Sequence, residues 1–187
     1  MLTVITGPMF SGKSSKLITM LMSYAIAGKN ALAFKPNIDN RFEIEKAIVS
    51  HTNNQFPAIV LPCDSPGDSI NSLPLVLTPH VVGFDEAQFF HKEELLETVD
   101  YLMEKKLCVI CAGLSQDYSG KPFGAMPHLL SIADEIISLK AVCSNCKSIG
   151  IATRTYRKSN DGDQVVVGGV DKYEARCYTC WTVGNEV

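Results

Sequence analysis

Residues 7–14 read Gly7-Pro8-Met9-Phe10-Ser11-Gly12-Lys13-Ser14. Two glycines with four residues between them, followed by lysine and serine, are typical of a loop whose backbone N–H groups surround a polyphosphate. In such a loop the lysine reaches the terminal phosphates and the serine hydroxyl contacts Mg²⁺. A strand-like apolar run precedes the loop and a helical pattern follows it, which is the context that a phosphate loop requires. We therefore predict that residues 7–14 bind phosphate.

Outward from this loop, the chain alternates between predicted strands and predicted helices. Strands are predicted over residues 31–36, 81–86 and 107–114, and helices over residues 14–28, 92–106 and 126–137. Short, fully apolar strands separated by amphipathic helices indicate an α/β fold in three layers, with a mostly parallel sheet. The proline-rich stretch from residue 51 to residue 79 gives no pattern from which an element can be predicted.

The strand predicted over residues 81–86 ends in two acids, Asp85 and Glu86. One acid can hold the water shell of Mg²⁺, and the other can accept a proton from an attacking hydroxyl. The alternative is an acidic strand end that only faces solvent. Because the carboxyl ends of parallel strands gather at the ligand crevice, we expect Glu86 near Lys13. Arg41 follows the second strand, and the pattern alone leaves it open between a phosphate contact and an ordinary surface residue.

Two Cys-x-x-Cys pairs near the end of the chain predict a tetrahedral zinc site made by Cys143, Cys146, Cys177 and Cys180. The composition changes near residues 140–142, where polar residues and glycines replace the strand–helix alternation. We therefore predict a first domain over residues 1–141 and a small metal-binding domain over residues 142–187. Cys108 and Cys111 have the same spacing inside a predicted strand, so their side chains should point to opposite faces and cannot share a metal.

Charge and composition favour a protein of the reducing cytoplasm. The net charge of −3 gives no basic surplus with which to neutralise a nucleic-acid backbone. No apolar run has the length of a membrane span. The seven cysteines are expected to be reduced and available to metal. We expect neither a nucleic-acid partner nor a membrane partner.

Four features together occur in the order and approximate spacing of the type II (cellular, zinc-containing) thymidine kinases, and the resemblance covers essentially the whole chain. They are residues 7–14, residues 85–90, residues 120–124 and the two cysteine pairs. The resemblance implies transfer of a phosphoryl group from ATP to the 5′-hydroxyl of thymidine or deoxyuridine, giving the nucleoside monophosphate and ADP. It also implies Mg²⁺ with ATP, and a structural Zn²⁺ that holds the C-terminal domain, called the lasso, over the nucleoside.

The family's functional residues can be carried over position by position. Glu86 matches the general base. The positions implied to contact ATP and Mg²⁺ are Gly7, Pro8, Met9, Phe10, Ser11, Gly12, Lys13, Ser14, Asp39, Asn40, Arg41, Asp85, Glu86, Ala87 and Gln88. The positions implied to contact thymidine are Met9, Phe89, Leu114, Tyr118, Phe123, Thr155, Gln164, Val165, Val166, Val167, Gly168 and Tyr173.

Three positions depart from the family pattern or leave the match open. Tyr118 stands where the family commonly has phenylalanine, and Ser115 stands where it often has an acid. Thr153 is the alternative to Thr155 as the threonine that faces the base, and the run from Arg154 to Arg157 favours Thr155.

The resemblance also implies a homotetramer and feedback inhibition by thymidine triphosphate. Two other functions remain open. One is a kinase of another nucleoside or nucleotide, which would keep the same phosphate loop and acids. The other is an ATP-gated nucleic-acid module whose cysteine pairs form a zinc ribbon. The acidic charge, and the lack of a basic cluster interleaved with aromatic residues, argue against this second function.

Overall fold

A computed structural model describes residues 1–37, 47–50, 54–71, 79–158 and 168–185. The strands are β1 (Leu2–Thr6), β2 (Ala31–Pro36), β3 (Ala47–Val49), β4 (Gln55–Pro57), β5 (Ile59–Leu61), β6 (Val81–Phe84), β7 (Cys108–Gly113), β8 (Glu135–Ser138), β9 (Arg154–Arg157) and β10 (Tyr173–Arg176). The helices are α1 (Lys13–Ile26), α2 (Pro66–Asn71), α3 (Lys92–Glu104), α4 (Met126–Ile132) and α5 (Tyr178–Asn185), with a 3₁₀ helix at Ala87–Phe89.

The central sheet has six strands in the order β5-β2-β6-β7-β1-β8, and every neighbouring pair in it is parallel. The predicted α/β fold with a mostly parallel sheet is therefore confirmed. β1 lies inside the sheet, where Val4 is in register with Cys111 of β7 and with Ile136 of β8. Because the strands are parallel, the carboxyl ends of β1, β6 and β7 lie at the same edge of the sheet.

Helices cover both faces of the sheet, as alternation along β1 requires. Leu2 and Val4 belong to a core that includes side chains of α3 and α4, whereas Ile5 belongs to a second core that includes side chains of α1. The resulting three layers match the prediction. Cys111 lies in the first core and Cys108 packs against the second, so these two thiols do face opposite sides of the sheet.

The helix predicted over residues 126–137 is wrong in its second half. α4 ends at Ile132, and residues 135–138 form the edge strand β8. Asp134 starts this pairing, because its carboxylate accepts a hydrogen bond from the Leu2 N–H at 2.6 Å and its own N–H donates to the Leu2 carbonyl at 2.9 Å. The β-branched pair Ile136 and Ile137 suits a strand, but the partner strand is more than a hundred residues away in sequence.

Between residues 47 and 71, a region without a sequence-based prediction for most of its length, the described residues form short elements. β3 and β4 make an antiparallel hairpin, β5 pairs with the outer side of β2, and α2 packs on α3. Three-residue strands are too short to show a period, so their partners alone define them.

Beyond β8 the chain forms a smaller unit of β9, β10 and α5. β9 and β10 are antiparallel, with Thr155 in register with Ala175. A compact apolar cluster of Ala141, Cys143, Ala152 and Ala175 lies beneath the hairpin. In the part of the chain that the structure describes, no helix is long and apolar enough to cross a membrane.

Candidate active site and metal centre

The chemistry predicted from the sequence falls at one edge of the sheet. The loop after β1 carries residues 7–12, the turn after β6 carries Asp85 and Glu86, and the loop after β7 carries residues 114–124. These strands are mutually parallel, so their carboxyl ends open on the same crevice.

The loop after β1 forms a hydrogen bond with the side chain of the lysine that follows it, Lys13. Lys13 is only 9% exposed, and its ammonium group donates a hydrogen bond to the Pro8 carbonyl at 2.8 Å. The Ser11 hydroxyl donates to the same carbonyl at 2.8 Å. Gly7 has φ +152°, and a Cβ there would lie 2.5 Å from the Leu139 carbonyl oxygen. Only glycine fits this approach to the end of β8. The loop is thus shaped before any ligand binds.

Ser14 and Asp85 come together from α1 and the end of β6. The Ser14 hydroxyl donates a hydrogen bond to the Asp85 carboxylate at 3.1 Å. Asp85 is 5% exposed, and its N–H donates to the Phe34 carbonyl at 2.9 Å. A hydroxyl oxygen and a carboxylate oxygen side by side are the hard donors that Mg²⁺ takes beside substrate phosphates, so this pair fits the ion.

Glu86 adopts a left-handed backbone conformation, with φ 51° and ψ 41°. Such a conformation costs a non-glycine residue about 1–3 kcal/mol and is concentrated at functional sites. Its carboxylate accepts a 2.6 Å hydrogen bond from the Gln88 amide. The turn therefore places a carboxylate of defined orientation next to Asp85, and Ala87 and Gln88 are buried behind it.

Aromatic side chains form the next part of the crevice. Phe89 and Phe123 meet edge to face, with their ring centroids 5.6 Å apart. Leu114 is buried at the end of β7. The guanidinium of Arg157 stacks on the ring of Tyr118, 3.7 Å from the ring centroid. This stacking fixes one face of the ring, and nothing in the sequence pattern indicated it.

The loop after β1 also contacts the C-terminal unit. The Met9 N–H donates a hydrogen bond to the Thr155 hydroxyl at 3.1 Å, and Phe10 packs against the apolar cluster beneath the hairpin. Thr155 is buried, whereas Thr153 is exposed. A cavity of about 290 Å³ lies here, and its lining includes Leu114 and both threonines. The burial of Thr155 and its bond to Met9 distinguish it from Thr153, although both face the cavity.

The four predicted metal ligands form one cluster. The Sγ atoms of Cys143, Cys146, Cys177 and Cys180 all lie within 4.8 Å of one another, and those of Cys146 and Cys177 are 4.0 Å apart. Tetrahedral zinc with Zn–S bonds of about 2.3 Å places its sulfurs about 3.8 Å apart. The residues present therefore fit a structural metal such as zinc.

The thiols of this cluster affect one another's ionisation. Burial of the Cys143 thiol raises its pKa. Hydrogen bonds donated by backbone N–H groups, the strongest from Cys177, together lower the pKa by more than burial raises it, and the net pKa is about 6. For Cys180, a hydrogen bond from Asn145 lowers the pKa, but the thiols of the other three cysteines together with burial raise it, to about 11. Four thiolates this close would repel one another, which disfavours ionisation of all four. A bound dication offsets this repulsion.

One residue that sequence reasoning missed is Trp181. Its indole N–H donates a hydrogen bond to the Tyr118 carbonyl at 3.0 Å and thus ties α5 to the loop after β7. It follows Cys180 directly, and it is the only tryptophan in the chain. Those two facts were the signal that could have drawn attention to it.

Charged and aromatic side chains also cover the outer face of the hairpin. The Arg176 guanidinium lies 3.4 Å from the ring centroid of Tyr156 and pairs with Glu174 at 3.0 Å. Burial raises the pKa of Glu174. The hydrogen bonds and positive charges of Arg176 and Lys158 together lower it by more, so that the net pKa lies below the ordinary value. These contacts hold the hairpin strands together beside the metal cluster.

Several predicted site residues lie outside the described residues. They are Asp39, Asn40, Arg41, Gln164, Val165, Val166 and Val167. Of the remaining predicted base contacts, Tyr173 is buried in β10, and Gly168 precedes β10 at the start of the last described segment.

Comparison of the sequence with those of known proteins identifies one family. The family model described as "Thymidine kinase" matches residues 1–181. A thymidine kinase of Coprothermobacter proteolyticus is 44% identical over 182 residues, covering 94% of this chain and 87% of the relative. One of Mycoplasma mobile is 40% identical over 185 residues, covering 98% and 88%. One of Pyrobaculum aerophilum is 39% identical over 183 residues, covering 95% and 96%. The chain therefore belongs to the thymidine kinase family.

Proposed function

We propose that the protein transfers the γ-phosphoryl group of ATP to the 5′-hydroxyl of thymidine, and of deoxyuridine, releasing the nucleoside monophosphate and ADP. The observation that carries this proposal is the 3.1 Å hydrogen bond between Ser14 and Asp85, next to Glu86, in a member of this family. It joins the serine of the phosphate loop to the acid at the end of β6, which is the pairing that a Mg²⁺–nucleotide site requires.

In the proposed reaction the 5′-oxygen of the nucleoside forms a bond to the γ-phosphorus, and the bond from that phosphorus to the β–γ bridging oxygen breaks. Glu86 accepts the proton of the 5′-hydroxyl, and the bridging oxygen leaves as part of ADP. Residues 7–12 surround the phosphates with N–H groups, and Lys13 moves from the Pro8 carbonyl to the terminal phosphates. Ser14 and Asp85 would hold Mg²⁺, which when bound neutralises phosphate charge.

The finer assignments of the site belong to the same proposal. Asp39, Asn40 and Arg41 contact the phosphates from the second loop. Ala87 and Gln88 lie along the nucleotide. The thymidine pocket is formed by Met9, Phe89, Leu114, Tyr118, Phe123, Thr155 and Tyr173, and Gln164, Val165, Val166, Val167 and Gly168 read the base edge through their backbone. Support for the pocket comes from the contact between Phe89 and Phe123 and from the burial of Leu114 and Thr155.

Residues 142–187 act in this proposal as the lasso, a domain that closes over the nucleoside and keeps water from the phosphoryl group. Cys143, Cys146, Cys177 and Cys180 would hold Zn²⁺, which when bound cross-links the segment before β9 to the start of α5 and takes no part in bond making. Support comes from the bonds that join this unit to the crevice, from Thr155 to Met9 and from Trp181 to Tyr118.

The assembly and regulation complete the proposal. We expect the protein to be a homotetramer in the cytoplasm. We also expect inhibition by thymidine triphosphate, because a triphosphate attached to the preferred nucleoside can occupy the lasso and the phosphate loop together. Size-exclusion chromatography with light scattering, and inhibition kinetics against thymidine, test these two points.

The central experiment measures ATP-dependent phosphorylation of the four common deoxynucleosides and the zinc content of the same sample. We expect monophosphate from thymidine, and from added deoxyuridine, with about one zinc per chain. Phosphorylation of a purine deoxynucleoside in preference to thymidine would replace this proposal with a kinase of another nucleoside. The absence of phosphorylation of any nucleoside would refute both.

A further inference from the structure

The Gln88 side chain is buried between two groups of the crevice. Its amide nitrogen donates to the Glu86 carboxylate at 2.6 Å, and its amide oxygen accepts from the Leu114 N–H at 3.0 Å. Gln88 is only 2% exposed. It therefore links the turn after β6 to the end of β7 through a single side chain.

The orientation of this amide has only one consistent solution. The Leu114 N–H can only donate, so the atom that faces it must be the amide oxygen. The amide nitrogen then faces Glu86, whose ionised carboxylate can only accept. Flipping the amide would set nitrogen against an N–H and oxygen against a carboxylate, and would lose both bonds. The bond to Glu86 is thus specified by the backbone of Leu114.

Two glycines keep open the space that the Gln88 side chain and backbone occupy. A Cβ on Gly113 would lie 2.6 Å from the Gln88 amide oxygen, and one on Gly124 would overlap the Gln88 carbonyl oxygen. Side chains at these two positions would displace either the amide or the backbone that carries it. The packing therefore holds Gln88 in a single position and defines where its donor group lies.

We propose that Gln88 is a positioning residue for the general base. It holds one oxygen of the Glu86 carboxylate, and this sets the plane in which the other oxygen meets the 5′-hydroxyl. A general base must lie within hydrogen-bond reach of the proton that it accepts, so the orientation of the carboxylate decides whether it can act. This inference rests on the proposed function, because it concerns the same proton transfer.

The positioning role and the nucleotide contact proposed for Gln88 predict different kinetics. A side chain that contacts ATP changes the KM for ATP when it is removed. A side chain that acts through Glu86 lowers kcat when it is removed, and leaves both KM values nearly unchanged. The Gln88 amide has its nitrogen on Glu86 and its oxygen on Leu114, which favours the second outcome.

The test uses Gln88→Met, which keeps the length of the side chain but removes both amide groups, and Gln88→Glu, which keeps an acceptor for Leu114 but opposes Glu86 with a second carboxylate. Gln55→Met, at an exposed position in β4, is the matched control. Steady-state kcat and the KM values for thymidine and ATP are measured for each variant, together with its thermal melting.

For Gln88→Met we expect kcat to fall about 10- to 100-fold, the scale of a misplaced catalytic group, with KM values within threefold of wild type. Gln88→Glu should lower kcat at least as much, because it keeps the acceptor for Leu114 and replaces the donor to Glu86 by a second carboxylate. Gln55→Met should match the wild type. A destabilising but merely structural change would lower the melting temperature and leave kcat of the folded protein near the wild-type value.

A double variant provides the second readout. If Gln88 acts through Glu86, Gln88→Met should cost less than about threefold in kcat when it is added to Glu86→Gln, because the group that it positions is already disabled. Multiplication of the two losses, or a raised KM for ATP with an unchanged kcat in Gln88→Met, would overturn the positioning role. If the wild type phosphorylates no thymidine at all, the proposed function itself fails. The two failures are therefore distinguishable.

Discussion

At the scale of single residues, the crevice combines strain with tight fixation. Glu86 has a left-handed backbone at φ 51°, and Ser14 and Asp85 are joined at 3.1 Å. A turn that accepts this strain is over-determined by its surroundings. Asp85 is held through the Phe34 carbonyl, and Glu86 is held through Gln88. The acids are therefore placed before substrate arrives, which is what electrostatic catalysis of phosphoryl transfer requires.

Replacing Glu86 by glutamine keeps the shape of the side chain and removes its ability to accept a proton. We expect turnover to fall about 10²–10⁴-fold, the range for loss of a positioned general base, and ATP binding to be nearly intact. The measurement is kcat with thymidine, together with ATP titration by calorimetry. Glu97→Gln, on the exposed side of α3, is the control. A Glu86→Gln protein that keeps a third of the wild-type turnover would exclude Glu86 as the base.

At the scale of elements, the hairpin β9–β10 and α5 depend on few contacts of their own. The apolar cluster beneath them consists of three alanines and Cys143. So small a core provides little hydrophobic stabilisation, and units of this size usually need a metal or a disulfide. The four sulfurs within 4.8 Å supply the site for such a metal.

Cys180→Ser removes one of the four ligands. We expect zinc to fall well below one per chain, amide hydrogen exchange to accelerate in β9, β10 and α5, and the six-stranded sheet to keep its protection. Activity should fall mainly through a higher KM for thymidine. Zinc analysis and hydrogen-exchange mass spectrometry measure these effects, with Cys63→Ser, outside the cluster, as control. Full zinc occupancy and an unchanged KM for thymidine in Cys180→Ser would contradict the structural-metal assignment.

Trp181→Phe keeps an aromatic ring in α5 and removes only the N–H that donates to the Tyr118 carbonyl. The loss of one neutral hydrogen bond corresponds to about 0.5–1.5 kcal/mol. We therefore expect the KM for thymidine to rise roughly 2- to 10-fold, because the loop that carries Tyr118 and Phe123 loses its tie to α5, and the KM for ATP to stay unchanged. Tyr178→Phe, in the same helix, is the control. Equal changes in the two KM values would place the effect of Trp181 outside the thymidine pocket.

At the scale of the whole molecule, specificity is expected to come from two units meeting over the crevice. In the proposed function residues 164–168 read the base edge, and most of their side chains are valines. We therefore expect their hydrogen bonds to the base to come from backbone groups in a fixed donor and acceptor order. Thymine presents an N3–H donor between carbonyl acceptors, whereas cytosine presents an N3 acceptor beside an amino donor. A rigid backbone cannot satisfy both, and mispairing buries unsatisfied polar groups.

We therefore expect thymidine and deoxyuridine to be substrates, and deoxycytidine to be rejected by roughly 10⁴–10⁵ in kcat/KM. The measurement is kcat/KM for the three nucleosides at saturating ATP. Deoxyuridine is the internal control, because it keeps the same base edge and lacks only the methyl group. A deoxycytidine value within tenfold of thymidine would contradict both backbone reading and the thymidine assignment.

Local chemistry was sufficient for much of this protein. The glycine-rich loop after β1, the acids after β6 and the two cysteine pairs were singled out by residue type and spacing, because the chemistry predicted for each requires particular groups at short sequence separation. The parallel sheet followed from the alternation of apolar strands with amphipathic helices, since that pattern has few packed solutions. These features are local in sequence, so one sequence was enough to predict them.

Tertiary structure decided what depends on partners distant in sequence. Residues 135–138 became β8 rather than helix because β1 offered a strand edge, and the pairing outweighed the helical period. The stacking of Arg157 on Tyr118, the bond from Trp181 to Tyr118 and the link from Leu114 through Gln88 to Glu86 join segments that only the fold brings together. Contacts between distant segments leave no period or spacing in the sequence, because their geometry exists only once the chain has packed.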